Sequence, residues 1–223
     1  MNKINYYFVR HGETSANIDG IVQGWTDSSL DDIGINNSQK LGNDLASVPF
    51  HLAYTSDLKR AQETGQIILS YQEEDIPLIP TPAFREFNYG GFENQPTEAV
   101  WKQSLPAKVE QLKADKVPSA SFVPLIIDEL MHDDPVGESE DFMSFWERIE
   151  EAMLFIHDEA LEQRIEQMTP EINVLIVGHE LPIRFFLHEV LADFDLTQSL
   201  EPAHYAHVSY YKGAYHLETW NEI

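Results

Sequence analysis

Two histidines in the chain each follow a short run of apolar residues, the composition of a buried β-strand. Arg10 and His11 come directly after residues 6–9, and His179 closely follows residues 172–177. In open α/β sheets, the carboxyl ends of parallel strands form the edge at which ligands bind. A cation beside an imidazole there predicts an anionic ligand next to a base or nucleophile. The alternative is an ordinary strand-to-loop turn with solvated charges.

A second arginine and an acidic residue extend this pattern. Arg60 falls in the first turn of a predicted helix, where the helix dipole disfavours a cation by about 0.3–1 kcal/mol. An anion held at this helix N-terminus would account for Arg60, whereas a side chain extended into solvent is the alternative. Glu86 is flanked by aromatic residues, and burial among them would raise its pKa and suit it to donate a proton. A salt bridge to Arg85 would instead keep Glu86 ionised.

The elements that must position these groups alternate between strand and helix. Strands are predicted at 6–9, 51–55, 76–81 and 172–177, with a closing hairpin at 206–211 and 214–220. Helices are predicted at about 29–47, from a cap at Ser56 or Asp57 to about residue 71, at about 97–116, from a cap at Ser139 onwards, and at Pro182 onwards. The polar, glycine-rich residues 17–26 are predicted to form a loop. The apolar run 172–177 is typical of a central parallel strand, and the prolines of 76–81 indicate a strand near an edge.

Two of the predicted helices carry apolar stripes at helical spacing. The first stripe consists of Leu30, Ile33, Leu41 and Leu45, and the second of Phe142, Phe145, Trp146, Ile149, Met153 and Ile156. The second stripe is expected to lie in the core. Together the elements predict a three-layer α/β/α fold with a mostly parallel sheet and an antiparallel closing element. Residues 1–223 are expected to form a single domain, with an inserted cap at about 94–138.

The composition is strongly acidic, with 14 Lys and Arg against 38 Asp and Glu, a formal charge of −24. Such a charge disfavours nucleic acid and anionic membrane surfaces, although a local cluster of cations can still bind an anion within a Debye length of about 8 Å. The absence of cysteine excludes a disulfide scaffold, a thiolate zinc site and a cysteine nucleophile. Without a signal-peptide layout or a long apolar stretch, a cytoplasmic protein is expected.

Several segments, in chain order, resemble the histidine phosphatase superfamily and its phosphoglycerate-mutase-like branch. They are Arg10-His11-Gly12-Glu13-Thr14 with Asn17, Gln23-Gly24-Trp25, residues 55–61, Phe84-Arg85-Glu86 with Tyr89-Gly90, Gly137-Glu138-Ser139, and Gly178-His179 with Arg184. The likeness spans nearly the whole chain, which makes it more specific than any single motif.

The resemblance implies a role for each matching residue. His11 would be the nucleophile, transiently phosphorylated on a ring nitrogen, and Glu86 would protonate the leaving oxygen and then deprotonate the attacking water. The transferring phosphoryl group would be bound by Arg10, Arg60 and His179, with Asn17 adding a hydrogen bond and Gln23 and Gly24 forming a loop on the phosphate side. No metal or other cofactor is implied, because arginines supply the positive charge. The implied activity is metal-independent hydrolysis of a small phosphorylated metabolite, a phosphomonoester.

The chain departs from the family pattern at Glu180, where the family usually has glycine or another small residue. A carboxylate beside a phosphate would repel it unless the side chain turned away or were protonated. A second proton donor is one interpretation, because a distantly related acid phosphatase branch keeps an acid near this histidine. That branch's Arg-His-Gly-x-Arg-x-Pro start is absent here, and we expect Glu180 to point away.

Three other functions compete with hydrolysis. A phosphoglycerate mutase would share the catalytic groups but needs extra cations in its cap, and residues 94–138 contain four lysines and no arginine. A binding module that had lost catalysis would need an occluded site or a silencing charge at Glu180. A metal hydrolase is suggested by His204 with His207 and by 132–134, but no established metal-binding spacing is present. Hydrolysis is therefore favoured.

Overall fold

The protein contains a six-stranded sheet. The structure is a computed structural model that describes residues 3–103, 105–116, 122–196 and 198–223. The side chains of 101–109, 122, 123 and 126 are outside this description. The strands are β1 (Lys3–Arg10), β2 (Leu52–Ser56), β3 (Leu78–Thr81), β4 (Glu171–Gly178), β5 (Tyr205–Tyr211) and β6 (Ala214–Glu222). Their spatial order is β3-β2-β4-β1-β5-β6. Strands β3, β2, β4 and β1 run parallel, whereas β5 is antiparallel to β1 and pairs with β6 as a hairpin. The predicted mostly parallel sheet with an antiparallel closing element is confirmed.

Helices cover both faces of the sheet. They are α1 (Ser15–Ile18), α2 (Asp32–Asp44), α3 (Lys59–Leu69), α4 (Thr97–Gln103), α5 (Leu105–Ala114), α6 (Phe122–Asp133), α7 (Phe142–Glu166) and α8 (Glu180–Val190), with short 3-10 turns at Pro82–Phe84 and Gly90–Phe92. Successive residues of a strand point to opposite faces, so β1 feeds two cores. Tyr6 and Phe8 pack with α7 and α8, whereas Tyr7 and Val9 pack with α2 and α3. The three-layer architecture follows from this alternation.

The pairing of β1 with β4 sets the position of both histidines. The two strands are parallel and in register, with Val9 opposite Val177 and Arg10 opposite Gly178. The residue after each strand is therefore brought to the same point of the sheet edge. His11 and His179 become neighbours for this reason, and the His11 amide donates to the Gly178 carbonyl at 2.9 Å.

Several predicted helix starts are wrong in detail. Helix α3 has Leu58 at its N-cap with no side-chain cap, because Asp57 pairs with Arg85 and Ser56 ends β2. Helix α7 is capped by Asp141 instead of Ser139, whose amide donates to another carboxylate in the preceding loop.

The first apolar stripe and the predicted loop also need correction. Leu41 and Leu45 of the predicted stripe are buried, but Ile33 is 52% exposed and does not belong to it. The predicted loop 17–26 overlaps the short helix α1, which begins at Ser15 because Thr14 and Asn17 form a reciprocal capping box.

The segment between β3 and α7 is more helical than the sequence indicated. A single helix was predicted over 97–116, and the structure has two helices there, α4 and α5. Residue 104, between them, lies outside the described residues. Helix α6 was not predicted. Within the described part of the chain, no helix has the length and apolarity to cross a membrane.

Candidate active site

His11 is a buried histidine whose hydrogen bond determines its tautomer. Its side chain lies at the carboxyl end of β1, and the residue is 4% exposed. Nδ1 is 2.7 Å from the carbonyl oxygen of Gly12, which can only accept, so Nδ1 carries the proton. Burial lowers the pKa of His11 well below its usual value, and the charges of Arg60 and Arg10 lower it further. The imidazole is therefore neutral at pH 7, with Nε2 unprotonated.

His179 is the N-cap residue of α8 and has no exposed surface. Its ring centroid is 5.1 Å from that of His11. Nδ1 accepts from Nη2 of Arg60 at 3.2 Å, so the proton lies on Nε2, which donates to the Ser56 hydroxyl at 2.9 Å. Burial, followed by the charge of Arg60, lowers the pKa of His179 well below its usual value. This second imidazole is also neutral at pH 7.

Arg60 is a fully buried cation in the first turn of α3. Nη2 donates to the Gly24 carbonyl at 2.7 Å, and Nη1 donates to the Thr26 carbonyl at 2.9 Å. Burial lowers the pKa of Arg60 to about 10, so it remains charged at pH 7. Nε is buried and has no hydrogen-bond partner among the residues described. Arg60 therefore faces the two histidines and is not a solvated surface residue.

Arg10 brings a second guanidinium to the same edge from β1. Nη1 donates to the carbonyl oxygen of Leu200 at 2.6 Å and is 2.8 Å from Oε2 of Glu180. Nε is again buried, with no partner in the described part of the chain. Burial is the main cause of the lowered pKa of both His11 and His179, and the charge of Arg10 lowers it further, so this guanidinium acts on the same site as Arg60.

Glu86 is a buried carboxyl on the loop after the first 3-10 turn and is 8% exposed. Burial raises its pKa to about 7, although the amides of Phe87 and Leu181 donate to its oxygens at 2.8 and 3.4 Å. Arg85 does not neutralise Glu86, because the Nε–Nη2 edge of its guanidinium binds both carboxylate oxygens of Asp57, at 2.7 and 2.6 Å. The expected desolvation of Glu86 is thus present.

Asn17, Gln23 and Gly24 each make hydrogen bonds to neighbouring protein groups. The Asn17 side-chain oxygen accepts from the Thr14 amide at 3.2 Å as part of the α1 cap. The Gln23 side chain bonds to the hydroxyls of Thr14 and Ser28 at 2.9 and 2.6 Å. The Gly24 carbonyl accepts from Arg60. Direct contact of these three residues with a phosphate stays a prediction.

Residues 6–223 match the model of the histidine phosphatase superfamily (branch 1). The chain belongs to that superfamily. Its resemblance to this family and its α/β fold are both confirmed.

Curated relatives of this superfamily member cover only part of it. The 2,3-bisphosphoglycerate-dependent phosphoglycerate mutase of Bartonella henselae is 41% identical over 85 residues, which are 37% of this chain and 41% of that protein. The adenosylcobalamin/alpha-ribazole phosphatase of Escherichia coli is 38% identical over 87 residues, 39% of this chain and 42% of that protein. The matched stretches thus span about two fifths of these relatives.

Solved structures match over the whole length. The phosphoglycerate mutase from Bacillus anthracis has a TM-score of 0.84 and 28% identity, covering 99% of this chain and 94% of that one. A putative alpha-ribazole-5'-P phosphatase from Escherichia coli has a TM-score of 0.70 at 21% identity, covering 100% and 98% of the two chains, and shows the fold alone.

Two residues of this superfamily member support the site but were not identified from the sequence. The Glu93 carboxylate accepts from the amides of Gly24, Trp25 and Thr26 at 2.8–3.1 Å, which fixes the loop whose carbonyls hold Arg60. Gly24 has no room for a side chain there, since an added Cβ would lie 2.3 Å from Oε1 of Glu93. Glu93 is an isolated acidic residue in a glycine-rich segment, and nothing in the sequence indicates that it binds the amides of 24–26.

Arg148 is the second such residue. It lies on α7 beside the apolar stripe, and its guanidinium donates to the carbonyls of Ala83, Arg85 and Glu86 at 2.7–2.9 Å. A single arginine beside an apolar stripe was the available signal. The guanidinium also pairs with the Glu140 carboxylate at 2.7 Å. Its other partners are backbone carbonyl groups, which no sequence pattern identifies.

Proposed function

We propose that the protein is a metal-independent phosphatase that hydrolyses a small phosphomonoester through a phosphohistidine intermediate on His11. The observation that carries this proposal is the placement of two arginines, Arg10 and Arg60, beside a buried, neutral histidine whose Nε2 is unprotonated. Together they offer positive charge for the phosphoryl oxygens and a nucleophile for the phosphorus.

In the first step, Nε2 of His11 attacks phosphorus and the bond between phosphorus and the ester oxygen breaks. Glu86 gives its proton to the departing oxygen, which leaves as an alcohol. A pKa of about 7 keeps much of Glu86 protonated at neutral pH. The negative charge on the phosphoryl oxygens is stabilised by Arg10, Arg60 and the Nε2–H group of His179.

In the second step, the Glu86 carboxylate takes a proton from water as the water oxygen attacks phosphorus. The bond between phosphorus and Nε2 breaks, inorganic phosphate leaves, and His11 returns to its neutral form. Glu86 is then protonated again, as the next cycle requires. The hydrogen bond from Nδ1 of His11 to Gly12 holds the ring in one orientation through both steps.

Residues 94–138 are inferred to form the cap that selects the substrate. A bridge between Ile21 and Pro96 and a hydrogen bond from the Thr97 amide to the Gly20 carbonyl at 2.7 Å join this segment to the loop before Gln23. Helices α4, α5 and α6 follow within this segment, and contact of the leaving group with them is part of the proposal.

A phosphoglycerate mutase is the second candidate, favoured by the full-length match to the Bacillus anthracis structure. It would return the phosphoryl group from His11 to a second hydroxyl and exclude water. The lack of arginine in 94–138 argues for hydrolysis, because a mutase must also bind the carboxylate of its substrate.

The deciding experiment follows phosphate release from p-nitrophenyl phosphate, 3-phosphoglycerate and other small esters without added metal, in parallel with 3- to 2-phosphoglycerate conversion. Release by the wild type that disappears in His11→Ala would support the phosphatase. Isomerisation without release would identify a mutase. Full activity in His11→Ala would rule out the covalent mechanism for either reaction.

A further inference from the structure

Helix α8 begins with an acidic residue whose carboxylate lies between two arginines. Oε2 of Glu180 is 2.8 Å from Nη1 of Arg10, and Oε1 is 3.1 Å from Nη1 of Arg184. The Leu200 amide also donates to Oε1, at 3.4 Å. The Glu180 side chain is 21% exposed, so solvent screens these pairs only in part. Pairing with two cations therefore offsets the repulsion expected between Glu180 and a phosphate.

Arg10 is held from one end of its guanidinium. Nη1 makes both described hydrogen-bonding contacts, to the Leu200 carbonyl and to Glu180. The opposite edge of a guanidinium, formed by Nε and Nη2, is the fork that matches two oxygens of a phosphate. An anchor at Nη1 leaves this fork available, in agreement with the buried, unpartnered Nε.

Glu180 also acts on the carboxyl of Glu86. Burial is the main cause of the raised pKa of Glu86, and the negative charge of Glu180 raises it further, whereas Arg60 lowers it. The other groups around Glu86 are Tyr89, whose own pKa is raised in part by Glu86, and Arg148, which donates to the Glu86 carbonyl. Loss of the charge at Glu180 should therefore favour ionisation of Glu86.

We propose that Glu180 is a positioning residue that anchors Arg10 through Nη1 and so directs the Nε–Nη2 edge of Arg10 at the transferring phosphoryl group. This inference rests on the proposed phosphoryl-transfer function. The family usually has a small residue at this position. In this chain, the glutamate there would contribute to catalysis by positioning Arg10.

Simple electrostatics predicts the opposite outcome for the same substitution. If Glu180 were only a repulsive charge beside the phosphate, Glu180→Gln would strengthen phosphate binding and raise turnover. If Glu180 positions Arg10, the substitution releases the guanidinium, and kcat falls about 10- to 100-fold, as expected when a reacting geometry is misplaced by about 1 Å. Ground-state phosphate binding changes little, because the lost repulsion offsets the looser arginine.

The experiment compares Glu180→Gln and Glu180→Asp with the wild type, and uses Glu189→Gln as a matched control. Glu189 is an exposed residue of the same helix, and its replacement makes the same change in net charge. The measurements for each are kcat and KM on p-nitrophenyl phosphate, the pH dependence of kcat/KM on glycerol phosphate, and Kd for inorganic phosphate and for orthovanadate by calorimetry. Thermal unfolding verifies that each variant is folded.

We expect Glu180→Gln to lower kcat and to weaken orthovanadate, which mimics the five-coordinate transition state, at least tenfold more than it weakens phosphate. The basic limb of its pH profile moves to lower pH. Glu180→Asp keeps the charge and the basic limb and recovers part of kcat, while Glu189→Gln behaves as the wild type. Wild-type or higher kcat in Glu180→Gln, or equal changes in both affinities, would overturn the inference.

The orthovanadate measurement separates the two proposals. If the wild type hydrolysed no ester, the proposed phosphatase function would fail, yet the ratio of orthovanadate to phosphate affinity would still report on Arg10. If the wild type hydrolysed esters and Glu180→Gln left that ratio unchanged, only the role of Glu180 would fail.

Discussion

The imidazoles of His11 and His179 lie 5.1 Å apart, and their hydrogen bonds place the proton on different nitrogens. Nδ1 of His11 donates to a backbone carbonyl, whereas Nδ1 of His179 accepts from Arg60. One ring therefore presents an unprotonated Nε2, and the other carries a proton on Nε2. The two residues are alike in sequence context but differ in chemistry, which suits one to attack and the other to bind.

Glu86→Gln should slow hydrolysis of an alkyl phosphate far more than that of p-nitrophenyl phosphate. An alkoxide needs a proton to leave, whereas p-nitrophenolate does not, and general acid catalysis contributes about 10²- to 10⁴-fold. The measurement is kcat/KM for glycerol phosphate and p-nitrophenyl phosphate with both enzymes. An equal loss on the two esters would argue against Glu86 as the acid.

The pH dependence of wild-type kcat/KM on the alkyl ester should have a basic limb near pH 7. Glu86 must be protonated to act as an acid, and its raised pKa of about 7 means that activity falls as pH rises through that value. The pKa of His11 lies well below its usual value, so the nucleophile stays neutral throughout this range. A basic limb that persisted in Glu86→Gln would have to come from another group.

Arg60→Met should lower both activity and stability. Loss of one transition-state donor costs about 10²- to 10³-fold in kcat. The carbonyls of Gly24 and Thr26 also lose their donor, which lowers the free energy of unfolding by about 1–3 kcal/mol. Phosphate release and urea denaturation measure the two effects.

Lys59→Met is the control for Arg60→Met, since it removes the same charge from the adjacent position. The Lys59 side chain is 61% exposed, and we expect a change within about 0.5 kcal/mol. Similar losses in the two variants would show that the charge of this helix turn matters more than the contacts of Arg60.

Arg148→Lys should lower kcat about tenfold while leaving Kd for inorganic phosphate unchanged. Lysine keeps the charge but lacks the planar guanidinium whose separate nitrogens reach three carbonyls of the Glu86 loop, so the acid is held less firmly. Arg164→Lys is the control, because it makes the same change on α7 about 24 Å along the helix. Weaker phosphate binding in Arg148→Lys would place Arg148 in the phosphate site itself.

Asp134→Ala should destabilise the loop before α7. The Asp134 carboxylate accepts from the amides of Gly91, Val136, Glu138 and Ser139 at 2.7–3.0 Å, and its loss should cost about 1–3 kcal/mol. Partial burial raises the pKa of Asp134, but these amides outweigh it and hold the pKa below its usual value of 3.8.

The contribution of Asp134 should depend on pH in one direction. Because the folded pKa is lowered, the stabilisation is present above pH 3.8 and is lost as pH falls further. Urea denaturation at pH 7 and pH 3 should therefore show a smaller gap between Asp134→Ala and the wild type at the lower pH. Asp133→Ala, at the exposed neighbouring position, serves as the control. A gap that widened at pH 3 would contradict the assigned role.

The sequence by itself determined the layers of the fold and the residue types at the sheet edge. Local composition and spacing define apolar runs of strand length, such as 172–177, and helical stripes such as that of Ile149 and Met153. Both can therefore be identified without a structure. The motifs around His11, Arg60, Glu86 and His179 were likewise local.

Only the tertiary structure decided how these groups are charged and held. The in-register pairing of β1 with β4 brings His11 to His179, and burial lowers the pKa of both while raising that of Glu86. The anchoring of Arg10 by Glu180 joins residues 170 positions apart in sequence. Desolvation and contacts between distant residues exist only once the chain is packed, which is why no local pattern could reveal them.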